Sequence, residues 1–140
     1  MTEHIKSKPR LFDELNSSHT LVHGSQSQGA IAIGWVVINT ANSFASPMRN
    51  NFAKSAAVSD VVTNHRPGVA VQLAQHLATL PIASGSQSNG FDALGISMVS
   101  CANDGTPITV DATTPVPMGF GYAQFLSNLD QIYSTRFSSI

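Results

Sequence analysis

Residues 21–42 read LVHGSQSQGAIAIGWVVINTAN and residues 82–103 read IASGSQSNGFDALGISMVSCAN. Laid over each other without gaps, Gly24, Ser25, Gln26, Ser27, Gly29, Ala32 and Gly34 fall on Gly85, Ser86, Gln87, Ser88, Gly90, Ala93 and Gly95. Ala41-Asn42 closes the first copy and Ala102-Asn103 the second. Apolar positions correspond as well: Leu21 with Ile82, Ile33 with Leu94, Ile38 with Val99. A second block follows in the same order. Residues 74–80, AQHLATL, match residues 123–129, AQFLSNL, in the pattern A-Q-x-L-x-x-L, and a proline precedes each, Pro67 and Pro117. The order of blocks is the same in both halves, though the second spacing is shorter, and this indicates an internal duplication in which each copy is one supersecondary unit.

The blocks translate into elements. GSQSxG is a turn, with glycine at each end and Ser and Gln positioned to bond the local backbone. Ala30 to Ile38 is rich in β-branched residues and carries Trp35, which favours a buried strand over a helix. Leu94 to Cys101 is its equivalent. Asn103-Asp104-Gly105-Thr106 makes a turn, and Pro107 to Asp111 alternates as a partner strand. Val69, Leu73, Leu77 and Leu80 form one helical stripe that Pro81 ends. Met118, Tyr122, Phe125, Leu129 and Ile132 form another, predicting a C-terminal amphipathic helix facing the core. Asn51 to Val62 and Leu11 to Leu15 suggest two further short helices. The expected fold is α+β: a charged N-terminal segment over residues 1–20, then one domain over residues 21–140. That domain contains two strand-then-helix repeats, about 21–81 and 82–137, related by a pseudo-twofold axis.

Charge is scarce and unevenly placed. Of 140 residues only 11% are Asp, Glu, Lys or Arg, against about a quarter in ordinary domains. Six of the fifteen charges lie in the first fourteen residues, and none between Leu15 and Met48, Pro67 and Phe91, or Ala112 and Leu129. Polarity comes from uncharged side chains, eighteen of them Ser. With a net charge of −1, such a surface does little to keep copies apart. Seven scattered basic residues cannot make a phosphate footprint, which argues against nucleic acid. The single Cys101 cannot form an intrachain disulfide and reads as a small apolar residue. The first fourteen residues lack the apolar core of a secretion signal, and the longest apolar run, Ala30 to Ile38, is too short to span a bilayer as a helix. The expected location is the cytoplasm, with a virion or signal-less release as alternatives. Membrane contact without spanning stays open.

Candidate chemistry is thin. His19 and His23 are four apart, a chelating spacing on a helix, but the segment between them reads as extended, which separates the rings. No metal or cofactor is expected. His76 lies on the polar side of its helix where the second copy has Phe125. Asp92 stands where the first copy has Ile31, so its surroundings must differ, and it is the acid to inspect first, ahead of His19, His23 and His76. Ser25, Gln26, Ser86 and Gln87 could bind a polar ligand if the pseudo-twofold brings the loops together. None of the loop serines has the G-x-S-x-G setting of a nucleophile, and neither loop has the lysine of a phosphate-binding loop. The expectation is a non-enzymatic structural subunit that self-associates into a homo-oligomer through low-charge surfaces, as in a virion, filament or polymer. The alternative is a small-molecule enzyme or binding protein with a pocket between the halves.

Overall fold

A computed structural model describes residues 4–24, 30–46, 61–64, 66, 68–83 and 90–137. In chain order the elements are α1 (His4–Gly24), β1 (Ile33–Asn39), β2 (Ser43–Ser46), β3 (Val61–Asn64), α2 (Val69–Leu77), β4 (Ala93–Ser100), β5 (Thr109–Val110) and α3 (Tyr122–Phe137). The class is α+β. A three-stranded mixed sheet has the order β1-β4-β5, and β2 and β3 form a separate antiparallel pair.

β1 and β4 run parallel, from Ile33 opposite Ala93 to Asn39 opposite Val99. Parallel neighbours need a crossover between them, and this one carries α2. Its Leu73, Ala74 and Leu77 are buried, as is Leu80 just beyond the helix. β1 alternates exposed and buried residues, as expected for a strand covered on one face. Its inward row of Ala32, Val36 and Ile38 joins Leu94, Ile96 and Met98 of β4 and the buried side chains of α2 in one cluster. β4, the central strand, is buried on both faces over Ala93 to Ile96. The turn after it leads to β5, which pairs antiparallel through Val99 with Val110 and Ser100 with Thr109. Asp104 organises that turn by accepting from the Thr106 amide and hydroxyl.

α1 packs Leu11, Phe12, Leu15 and Val22 on the same cluster as α2. It is far longer than the short helix expected at Leu11 to Leu15, and it takes in the His19–His23 segment expected to be extended. The polar run Asn16-Ser17-Ser18 hides the helix in the sequence. In the structure Ser17, Ser18 and Thr20 turn their hydroxyls back onto the carbonyls of Asp13, Glu14 and Asn16, which removes their competition with the helical ladder. The helix expected over Asn51 to Val62 is also corrected at its end, because Val61 and Val62 lie in β3. Residues 51–60, Pro67, and His65 lie outside the described residues.

α3 crosses the opposite face of the sheet and is seated by Gly95. A Cβ at Gly95 would lie 2.8 Å from Phe125 Cγ and 3.0 Å from Phe125 Cβ, so the absence of a side chain lets the phenyl ring settle on β4. The stripe expected to face the core is mostly half-open. Only Phe125 is buried, Leu129 and Ile132 are half-buried, and Tyr122 and Met118 are exposed. Among the described residues two helices thus cover one face of the sheet, whereas the other has one helix lying over β4.

Polar side chains finish the far ends of the strands. Asn39, buried, accepts from the Cys101 and Ala41 amides at 3.0 and 3.1 Å and donates to the Cys101 carbonyl at 2.8 Å, extending the β1–β4 ladder with a side chain. Cys101 itself is half-buried. Asn103, in the left-handed region at φ 55°, donates to the Ala45 carbonyl and ties β2 to the end of β4.

Candidate functional site

The parallel pairing of β1 and β4 brings the starts of both strands to one pole of the molecule. Each strand is preceded by one of the GSQSxG segments. Ser25, Gln26, Ser86 and Gln87 lie outside the described residues, but the residues that bracket them, Ala30 on one side and Ala83 and Gly90 on the other, meet at this pole. Three of the four residues singled out from the sequence also meet there.

His19 and His23 sit one turn apart on α1 and grip the two sides of the Gly90 residue. The Gly90 amide donates to His19 Nδ1 at 3.2 Å, and His23 Nε2–H donates to the Gly90 carbonyl at 2.8 Å. His19 Nε2–H donates in turn to Asn16 Oδ1 at 3.2 Å, which fixes the neutral tautomer with its proton on Nε2. The ring stands edge-on to Phe91 with centroids 5.3 Å apart. Burial first, and His23 second, hold the His19 imidazole below its ordinary pKa. Gly90 has a φ of 113°, and a Cβ there would meet the Pro81 carbonyl oxygen at 2.5 Å. The repeated glycine at this position is therefore required by backbone geometry.

Asp92 follows two residues later. Its side chain is 4% exposed. Oδ2 accepts from the Ala32 amide at 2.8 Å and lies 3.7 Å from His23 Nε2, and Oδ1 is paired with the Arg136 guanidinium. Arg136 also donates to the Ala30 carbonyl. One carboxylate thus joins the start of β1, the start of β4 and the last turn of α3. A buried carboxylate needs such partners to stay ionised. Beside the pair lies a cleft of about 480 Å³, with Asn128, Gln131 and Thr135 of α3 on one wall and Ile82 and Ala83 on the other.

Arg136 is the member of this group that sequence reasoning missed. It is the only Lys or Arg after Arg66, and a single cation in a stretch whose other charges are Asp92, Asp104, Asp111 and Asp130 was the available clue to a partner for Asp92. His76 is elsewhere: half-buried on α2, its ring lies 4.5 Å from that of Phe12. The helical setting of His19 and His23 restores the chelating spacing that the extended reading denied. Both rings are nevertheless committed to Gly90, and among the described residues no three His, Cys, Asp or Glu side chains are grouped to hold a metal. No described helix is long and apolar enough to cross a membrane.

The opposite pole has a smaller cleft of about 320 Å³, lined by Thr40, Arg66, Thr113 and Thr114 near the start of α2. Beside it Asp111 is saturated with donors. Oδ1 takes the amides of Thr113 and Thr114 and the Thr113 hydroxyl, and Oδ2 takes the hydroxyls of Thr114 and Thr40. The Thr114 hydroxyl above all, then those of Thr40 and Thr113, holds this carboxyl well below the usual carboxylate range. This is a structural clasp between β1 and the segment after β5.

A third surface is the uncovered part of the sheet. On the α3 side Ile33, Trp35 and Val37 of β1 are 47%, 54% and 40% exposed. Trp35 is held in place: its Nε1–H donates to Ser97 Oγ at 3.0 Å, and its ring lies 5.5 Å from Tyr122 and 6.4 Å from Phe125. Among the described residues β1 is an edge strand, paired only with β4.

No family model matches the chain, no curated protein matches it, and no solved structure matches it.

Proposed function

We propose that this chain is a structural subunit that assembles with copies of itself through the open β1 face. The observation that carries this reading is the row Ile33, Trp35 and Val37, left about half exposed on an edge strand. Edge strands of isolated proteins are commonly blunted by charge, proline or a bulge. β1 has none of the first two, and no charged residue occurs anywhere between Leu15 and Met48. A neutral apolar patch can face itself across a twofold axis without like charges meeting, which favours a second copy as the occupant. Trp35, fixed by Ser97 and flanked by Tyr122, has the character of an interface anchor: large, aromatic and already ordered.

The duplication bears on why this face is open. The repeats match Gly34 with Gly95, whereas the sheet sets Gly34 opposite Leu94, one residue out of step. Matched residues consequently point to opposite faces. A Cβ on Gly34 would meet Leu94 and Phe91 of the core cluster, and one on Gly95 would meet Phe125 of α3. A pseudo-dyad running along the strands accounts for that inversion and for helices α2 and α3 lying on opposite faces. α1 then supplies extra cover on one face, and the corresponding cover on the other is what a second copy provides.

Sedimentation velocity and light scattering from about 1 μM to about 1 mM span the affinities of such contacts. Mass should rise with concentration, and Trp35→Ser should return the chain to a monomer with its far-ultraviolet circular dichroism unchanged. A chain that stays monomeric throughout that range refutes the proposal.

A second reading, a small-molecule binder, draws on the 480 Å³ cleft beside Asp92 and Arg136 with its amide and hydroxyl wall. Each of those two charges already has a structural partner, and for that reason the assembly reading is preferred.

A further inference from the structure

We propose that His19 and His23 form an acid-sensitive latch that docks α1 onto the start of β4 by holding both sides of Gly90. At neutral pH the bonds are directional and complementary: Gly90 N–H to His19 Nδ1 and His23 Nε2–H to Gly90 O. The two histidines respond differently to a proton. His23 Nε2 carries hydrogen in the neutral form that makes this bond and in the charged form, so its bond survives protonation. His19 uses Nδ1 as an acceptor and Nε2 as a donor, and a second ring proton turns the acceptor into a donor facing the Gly90 N–H. That bond is then lost, and a charge is placed on a ring that is buried against Phe91.

The ionisable groups around the latch come from every element that meets there. α1 contributes His23, the start of β4 contributes Asp92, and α3 contributes Arg136, which is engaged with Asp92. His76 of α2 stacks on Phe12, two turns earlier along α1. Burial and His23 both oppose a charge on His19. Its folded-state pKa thus lies below the unfolded value, and the latch contributes stability that is complete above the ordinary histidine range and is lost as the pH falls through the folded-state value. The separate Asp92–Arg136 tie, which does not depend on a neutral imidazole, keeps α3 and the sheet together over the same range. Acid therefore loosens α1 selectively.

The test is nuclear magnetic resonance on the full, isotopically labelled chain. Ring nitrogen shifts report the state of His19, and hydrogen exchange reports protection of the Gly90 amide, corrected for its intrinsic rate. As the pH is lowered from about 7.5 to about 4, through and below the histidine range, Gly90 protection should fall by up to about tenfold per unit and level off once folded-state His19 takes its proton, while amides at the centre of β4 keep theirs. His19→Gln, which retains an acceptor but cannot ionise, should abolish the pH dependence. His23→Gln retains a donor and removes one cause of the His19 depression, so the fall should level off at higher pH and be smaller in total. If His19→Gln does not fold, the wild-type coincidence of Nδ1 protonation with the levelling-off of Gly90 protection decides the matter. Constant Gly90 protection across the range, or a fall that does not level off when His19 takes its proton, overturns the latch.

Discussion

Gly95→Ala tests the seat of α3. An added Cβ would stand 2.8 Å from Phe125 Cγ and 3.0 Å from Phe125 Cβ. Ordinary contact begins near 3.4 Å. The nearer atoms are not the tip of a flexible chain: Phe125 Cβ is fixed to the helix backbone, so the helix itself must lift by several tenths of an ångström. Overpacking of this kind costs about 1–3 kcal/mol. Replacing glycine in a strand returns about 0.4–1 kcal/mol through the unfolded chain, leaving a net loss of about 1–2 kcal/mol. With a urea slope of about 2 kcal/mol per molar for a domain of this size, the midpoint falls by about 0.5–1 M. The sole tryptophan, Trp35, rests against Tyr122 and Phe125, so its fluorescence reports the same displacement without a label. In a Phe125→Ala background the ring contact at 2.8 Å is gone and only the 3.0 Å contact with Cβ remains, so Gly95→Ala should cost less, a coupling that a double-mutant cycle reads directly. An unchanged or raised midpoint for Gly95→Ala, with Trp35 emission unmoved, would refute the seating of α3 on Gly95.

Two further predictions concern the charged clasps. Arg136→Met should destabilise the fold by about 2 kcal/mol, less than the 3–5 kcal/mol of a fully buried pair because the Arg136 side chain is 33% exposed. Adding Asp92→Asn should recover part of that loss in thermal melts, and strict additivity would show that the two side chains are not coupled. Asp111→Asn should cost about 2 kcal/mol at neutral pH by removing a charged acceptor from three threonines. Because the folded-state pKa of Asp111 is depressed, its contribution is present above the ordinary 3.8 and is lost as the pH falls below it. Urea midpoints of wild type and variant should accordingly converge on acidification from pH 7 to about pH 3, and a constant gap would assign the loss to packing alone.

The sequence was most legible where local pattern and burial agree. β1 alternates, β4 is apolar apart from Ser97 and Ser100, α2 has one stripe ended by Pro81, and the Asn103 to Thr106 turn leads to a partner strand. Each of these is what periodicity predicts. α1 was obscured because Asn16, Ser17, Ser18 and Thr20 carry no apolar period of their own, and the bonds that satisfy their hydroxyls form only within the helix. That one misreading also hid the Gly90 latch, since only a helix brings His19 and His23 close enough to hold the same residue. Asp92 was legible as the acid that replaces Ile31. Its cation was not, because Arg136 is separated from it by 44 positions and no local rule links them. For α3, a helical stripe revealed amphipathicity but not depth. How far Tyr122 and Leu129 are covered depends on the width of the sheet beneath, and β1 reaches beyond the helix.

The parallel register has a consequence for synthesis. Every rung of β1 is made with a strand that emerges from the ribosome long after it: Ile33 waits for Ala93, and Asn39 waits for Val99. The Ala32 amide waits likewise for Asp92, which in turn waits for Arg136 near the far end. Pairings so distant in sequence close slowly, because loop entropy is spent before contact is rewarded. Until then the nascent chain displays Trp35 and the β1 edge to its surroundings, including neighbouring chains on the same message. No solution condition changes the order in which the two halves appear, so this interval of exposure is written into the connectivity.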